Sequence, residues 1–179
     1  MHRIKKYISI LFNFFGYEIR KNSSNSSSLK EPFYHFRTLL GNETKPIIFD
    51  IGAYIGDTID LFKSSFPGSY IHAFEPFDES FYSLENRFGK NDEIALNNLA
   101  VGDCSEEKTR MYITNNRGSS SLLKPEKGAN SFWDGNPLLI EKELKVGTIT
   151  IDHYCHKNNI EKINILKIDV QGNEIKVLK

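Results

Sequence analysis

Acidic and glycine residues at positions 50, 52, 56 and 75 fall in a pattern that suits recognition of a nucleotide. In IIFDIGAYIGDT a β-branched apolar run ends on Asp50-Ile51 and passes through Gly52, Ala53 and Gly56 before a helical stretch. A turn of such small residues lets a ligand lie against bare backbone at a helix N-terminus. Glu75 closes the next apolar run, 23 residues after Gly52, where a carboxylate can accept hydrogen bonds from both hydroxyls of a ribose. The dinucleotide fingerprint G-x-G-x-x-G needs a glycine two before Gly52, and Asp50 stands there, so NAD is disfavoured. Asp152, His153, Cys155 and His156 crowd the segment IDHYCHK, but their spacing matches no standard zinc pattern and Asp152 suits the start of a helix. His72, inside an apolar run, reads as a packed core residue. Phe132 and Trp133 lie in a Gly- and Asn-rich insertion (115–142), where they could stack on a sugar ring or anchor the loop.

A sheet has to hold these groups in place. IIFDI (47–51) and YIHAF (70–74) read as short buried strands, DLFKSSF as a helix ended by Pro67-Gly68, and residues 78–88 as a helix capped by Asp78. EIALNNLAV (93–101) reads as a third strand, KTRMYIT (108–114) and ELKVGTITI (143–151) as additional strands, and INILKIDV (163–170) as a fourth buried run. Strands alternating with helices predict an α/β fold of βαβ units, with a mainly parallel sheet covered on both faces.

Asp50-x-Gly52-x-x-x-Gly56 resembles the first motif of S-adenosylmethionine (SAM) methyltransferases, in which an acid meets the cationic methionine end of the cofactor. With HAFEP, NNLAVGD, GSSSL (118–122), TITIDHYC and ILKIDVQGNEIKVLK, it makes residues 46–179 similar to the FkbM family of SAM-dependent methyltransferases. The resemblance implies a Rossmann-like, doubly wound sheet of the class I methyltransferase type. It also implies SAM as cofactor and O-methylation of a sugar, polysaccharide or secondary-metabolite hydroxyl. Residue by residue, it implies that Asp50, Gly52 and Gly56 line the methionine end, that Glu75 holds the ribose, and that Asn98 and Asp103 lie near the adenine. Asp169, ending the fourth strand beside the first, would face the transferable methyl as a base, an orienting group or a metal ligand, with the metal requirement left open. The structural alternatives are a helix cap near Gly172 for Asp169 and an exposed turn for Gly102-Asp103. Gln171 departs from the family pattern, which more often has Glu at that place.

Composition and charge narrow the remaining classes. The 179 residues are 39% hydrophobic and 26% charged, which suits one folded domain and excludes a disordered chain. Lys plus Arg and Asp plus Glu both total 23, removing the bulk positive footprint of a nucleic-acid binder. KIDVQG also lacks the Asn- or Asp-Pro-Pro-aromatic segment that clasps a flipped base. Cys104 and Cys155 make no disulfide framework, so a cytoplasmic setting is expected. The charge is uneven: Arg3, Lys5, Lys6, Arg20, Lys21 and Lys30 against Glu18 give residues 1–30 a net +5. Ile4, Ile8, Leu11 and Phe15 recur at helical spacing, predicting a basic amphipathic helix over 3–16, too short to span a bilayer. Peripheral contact with the inner membrane surface is its functional expectation, and docking on its own domain the alternative. The organisation expected is an arm (1–21), a Ser/Asn-rich linker (22–30) and a methyltransferase domain (31–179). A last helix of about seven residues predicts a sheet cut short after its fourth core strand. A noncatalytic or incomplete cofactor-binding domain is therefore the alternative to an enzyme.

Overall fold

The computed structural model describes residues 27–106, 108–126, 128 and 138–179. In chain order these form α1 (Ser27–Leu40), β1 (Ile47–Ile51), α2 (Asp57–Ser65), β2 (Tyr70–Phe74), α3 (Asp78–Phe88), β3 (Ile94–Asn97) and β4 (Ala100–Val101). Next come β5 (Thr109–Thr114), a 3-10 turn (Arg117–Ser119), β6 (Ile140–Val146), β7 (Thr148–Ile149), α4 (Ile151–Lys157), β8 (Ile165–Ile168) and α5 (Glu174–Val177).

Period-two alternation sets the two faces of the central sheet. Ile48 of β1 and Ile71 and Ala73 of β2 pack into one apolar cluster, which Phe33 of α1, Phe62 of α2 and Leu84 of α3 complete. Phe49, Ile51 and Phe74 point the other way, into a cluster with Tyr154 of α4 and Val177 of α5. Strands buried on both faces are what near-continuous apolar runs require, and all pairings in this sheet are parallel. The order is β3-β2-β1-β8. The chain thus winds outward from β1 in one direction and returns on its other side, leaving a switch point at the C-terminal ends of β1, β2 and β8.

The expected α/β architecture is present, with local differences. The run 93–101 is two strands: Asn97 ties its amide to Ala73 O and Ala95 O (both 3.1 Å), the chain turns, and β4 leaves to pair in parallel with β7. The run 143–151 is also divided. Gly147, whose carbonyl accepts from Ala100 N–H at 2.9 Å, separates β6 from β7, and Thr150 caps α4 by accepting from His153 N–H at 3.1 Å. β5 and β6 form an antiparallel hairpin in a sheet of their own, over a small cluster of Phe77, Met111, Ile113 and Val146. Asp78 is the first residue of α3 and not its cap; the position before it is Phe77, whose N–H goes to Glu75 Oε1 at 2.9 Å. α1 begins at Ser27, inside the stretch expected as linker. The arm, and with it the predicted helix over 3–16, lies outside the described residues, as do Phe132 and Trp133.

Candidate active site

A cavity of about 230 Å³ opens at the switch point, walled by Gly52 after β1, Glu75 after β2, and Asp169 and Gln171 after β8. Leu99, Val101 and Met111 give it an apolar side, and the hairpin turn closes it with Arg117 and Ser121. Gly52, with φ of +78°, lets the ends of β1 and β8 meet: a Cβ there would stand 1.9 Å from the carbonyl oxygen of Asp169. Gly52 and Ala53 both donate their N–H to Phe74 O at 3.0 Å, locking this turn onto the end of β2.

Glu75 is 6% exposed, with Oε2 accepting from Tyr54 N–H (3.0 Å) and Oε1 from Phe77 N–H (2.9 Å). Burial pushes its pKa up to about 7, against the pull of those two bonds and of Lys167. Each oxygen keeps a lone pair for a second donor, so the group is braced and still able to bind hydroxyls. Asp169 is held by its backbone, which donates to Ile51 O at 2.9 Å, and by Gln171 Nε2, which donates to Oδ1 at 2.7 Å. It does not cap a helix, because α5 starts only at Glu174 with Asn173 before it. The loop between is pinned twice. Glu174 Oε1 accepts from Val170 N–H and Gly172 N–H, and Ser121 Oγ donates to Val170 O at 3.0 Å.

Gly52, Glu75 and Asp169 thus come together at one cavity, with Gln171 and residues of the 118–122 stretch beside them, whereas Asp50, Gly56, Asn98 and Asp103 do not line it. Asp50 is fully buried behind the turn, paired across the sheet with Lys167, whose ammonium stands 3.0 Å from Oδ1 and donates to Gly52 O at 2.7 Å. Burial raises the Asp50 pKa, Lys167 opposes it, and neither carboxylate oxygen has an aligned hydrogen bond. Gly56, φ +91°, precedes α2 and packs under α3, where a Cβ would come within 2.4 Å of the Phe88 ring. Asn98 donates to Asp78 Oδ1 at 3.2 Å, and Asp103 pairs with Lys176 at 3.6 Å. His72 is a core residue as expected, its Nδ1 2.8 Å from Tyr154 Oη and its pKa lowered to about 4 by burial. Among the described residues no cluster of His, Cys, Asp or Glu is arranged to hold a metal ion.

Lys167 and Asn173 escaped the sequence reading. Lys167 had a signal, a lone cation in the buried run INILKIDV, which the parallel register sets against Asp50. Asn173 had none, since its place depends on a loop whose path only the fold defines, and Gln171, marked in the sequence as a departure from the family's usual Glu, turns out to hold the Asp169 carboxylate.

The family model described as the methyltransferase FkbM domain matches residues 50–179, the stretch that supplies all of this geometry. The chain belongs to the FkbM methyltransferase family. Methyltransferase sdnD of Sordaria araneosa is 28% identical over 158 residues, covering 76% of this chain and 60% of that protein. The 2-O-methyltransferase NoeI of Sinorhizobium fredii (strain NBRC 101917 / NGR234) is 24% identical over 141 residues, covering 74% of this chain and 56% of that protein. The chain therefore spans less than two thirds of the length of these relatives. A solved delta-N METTL16 MTase domain is 21% identical, covers 51% of this chain and 44% of that one, and has a TM-score of 0.36. That likeness is too slight to carry the fold, which rests on the strand order itself.

The FkbM methyltransferase family and the parallel sheet imply use of SAM, and the residues present fit it. A braced carboxylate with free lone pairs suits a ribose, and an apolar wall suits a base. Asp50 lies behind the Gly52 turn, where its charge is already met by Lys167, so it shapes the cofactor loop and does not line the cavity.

Proposed function

We propose that this FkbM domain binds SAM across the ends of β1, β2 and β8 and transfers its methyl group to a hydroxyl of a sugar, polysaccharide or secondary metabolite. The observation that carries the proposal is the convergence of Gly52, Glu75 and Asp169 on one cavity at the switch point. Bound SAM supplies an electrophilic methyl on a sulfonium; the chain's own work is alignment and proton removal. Glu75 holds the ribose, Gly52 gives backbone access, and Asp50 with Lys167 sets the shape and charge of the turn. Asp169 orients the acceptor hydroxyl and takes its proton, and the amide of Gln171 fixes the carboxylate in place. A second cavity, lined by Tyr112, Asn116, Ser119, Leu123 and Lys124, shares Ser121 and Gln171 with the first and gives the acceptor a place beside Asp169. Its mixture of an aromatic ring with amide and hydroxyl groups suits a polyhydroxylated ring.

Calorimetric titration with S-adenosylhomocysteine, and with NAD as competitor, tests this reading. The wild-type chain should bind S-adenosylhomocysteine and ignore NAD. Glu75→Ala should lose affinity by about tenfold to several hundredfold, from a net loss of roughly 1.5–3.5 kcal/mol of hydrogen bonding to the charged group. Asp169→Asn should keep that affinity and lose methyl transfer from labelled SAM to hydroxylated acceptors. NAD binding without S-adenosylhomocysteine binding would overturn the proposal, and S-adenosylhomocysteine binding without transfer to any acceptor would support a cofactor-binding domain alone.

A further inference from the structure

Ser121 and Gln171 stand in the wall common to both cavities. A methyl group passing from a donor in the first cavity to an acceptor in the second crosses that wall, so polar groups left free there meet the acceptor. The Ser121 hydroxyl is committed: Oγ donates to Val170 O at 3.0 Å and accepts from Leu123 N–H at 3.1 Å. Gln171 is not. It is exposed, and the side-chain hydrogen bond it makes among the described residues runs from Nε2 to Asp169 Oδ1 at 2.7 Å. A carboxylate only accepts, so the nitrogen has to face Asp169 and the orientation of the amide is fixed. A second N–H and Oε1 are left for a ligand. The backbone agrees, since Gln171 holds a φ of +57°, which a residue other than glycine keeps only where the surrounding fold enforces it, often at a ligand site.

Spacing indicates what that ligand presents. Asp169 and Gln171 touch through a single hydrogen bond, so the groups they bind are neighbours as well. Hydroxyl oxygens on adjacent carbons of a ring lie about one hydrogen-bond length apart, roughly 2.8 Å, and each hydroxyl both donates and accepts. One can donate to Asp169 Oδ2 while the next accepts from Gln171 Nε2 or donates to Oε1. We propose that Asp169 and Gln171 together grip a vicinal diol, and that the chain methylates one hydroxyl of such a pair in preference to an isolated hydroxyl. In the transfer the acceptor oxygen bonds to the methyl carbon, the carbon–sulfur bond breaks with its electron pair going to sulfur, and the hydroxyl proton goes to Asp169. This deepens the methyl-transfer reading and rests on it.

The test uses the full chain with labelled SAM and a panel of methyl hexopyranosides and their single-deoxy forms, the methylated position being located by mass spectrometry. Removing the hydroxyl next to the methylated one should lower kcat/KM by about tenfold, and removing one farther round the ring by less than about twofold. Gln171→Leu should slow transfer to every acceptor, because Asp169 loses its brace, and should also shrink the neighbour effect to within about twofold. Its affinity for S-adenosylhomocysteine, measured by calorimetry, should match the wild type and reports that the variant is folded. A Gln171 that only supports the loop would lower all rates alike and leave the neighbour effect intact in the variant, which overturns the inference. Wild-type transfer to an isolated hydroxyl as fast as to a diol overturns it too and leaves the methyl-transfer reading standing. Transfer to none of the panel by a chain that binds S-adenosylhomocysteine overturns the inference together with that reading, and no binding of S-adenosylhomocysteine overturns the cofactor assignment beneath both.

Discussion

The Glu75 carboxylate, at 6% exposure with a pKa of about 7, is an acid held near its titration point by burial. Its unfolded value is near 4.5. Between those pH values the folded chain keeps a proton that the unfolded chain has released, so folding stability falls as pH rises from 4.5 through about 7. The whole shift is on the order of 3 kcal/mol, offset in the loaded protein by donors that favour the charged form. Affinity for S-adenosylhomocysteine should therefore climb by up to about tenfold between pH 6 and 8 as the carboxylate forms. Glu75→Gln cannot ionise, and its profile should be flatter by that amount. Calorimetry on both proteins across the range checks it, and parallel profiles would mean that the ionised form is not what the ligand selects. The chemistry at this residue was legible from one acidic side chain at the end of an apolar run. Its bracing was not, because Tyr54 and Phe77 reach it through backbone amides, which no side-chain pattern encodes.

At the level of elements, the two motif glycines serve packing as much as ligand access. Gly52 abuts the Asp169 carbonyl, a backbone atom fixed by the β1–β8 pairing, while Gly56 abuts the tip of a Phe88 side chain. Backbone cannot yield as a ring can. Gly52→Ala should consequently destabilise the fold by roughly 2–4 kcal/mol and Gly56→Ala by about half as much, both also carrying the strain of a positive φ. Urea unfolding of the two variants measures this, and equal losses would show that strain alone, and not the close approach, governs them. β1 and β2 were readable as short, near-continuous apolar runs buried on both faces, and α3 as a helix whose buried Ser80 and Leu84 recur at helical spacing. The run 93–101 misled because β3 and β4 are both apolar while belonging to different sheets; only Asn97 and Asn98, good turn residues, marked the break. The 143–151 run misled for the same reason, with Gly147 and the capping Thr150 as its breaks.

For the molecule as a whole, zero net charge conceals an opposition: residues 1–30 carry a net +5, so the remainder carries −5. An anionic surface repels the second and attracts the first. Among the described residues no helix is long and apolar enough to cross a membrane. Deleting residues 1–21 should abolish co-sedimentation with phosphatidylserine vesicles, leave S-adenosylhomocysteine binding intact, and mimic the effect of raising salt on the full chain. Equal sedimentation with and without the arm would return it to a role inside its own chain. The pairing of β1 with β8 bears on synthesis as well. Ile47 and Asn164, joined there by a hydrogen bond, are 117 residues apart. At a translation rate of about 5–20 residues per second, the central strand waits roughly 6–23 s for its second neighbour to leave the ribosome. Through that interval β1 is an unsatisfied strand edge of apolar sequence, so the yield of soluble protein should depend on the chaperones that meet the nascent chain.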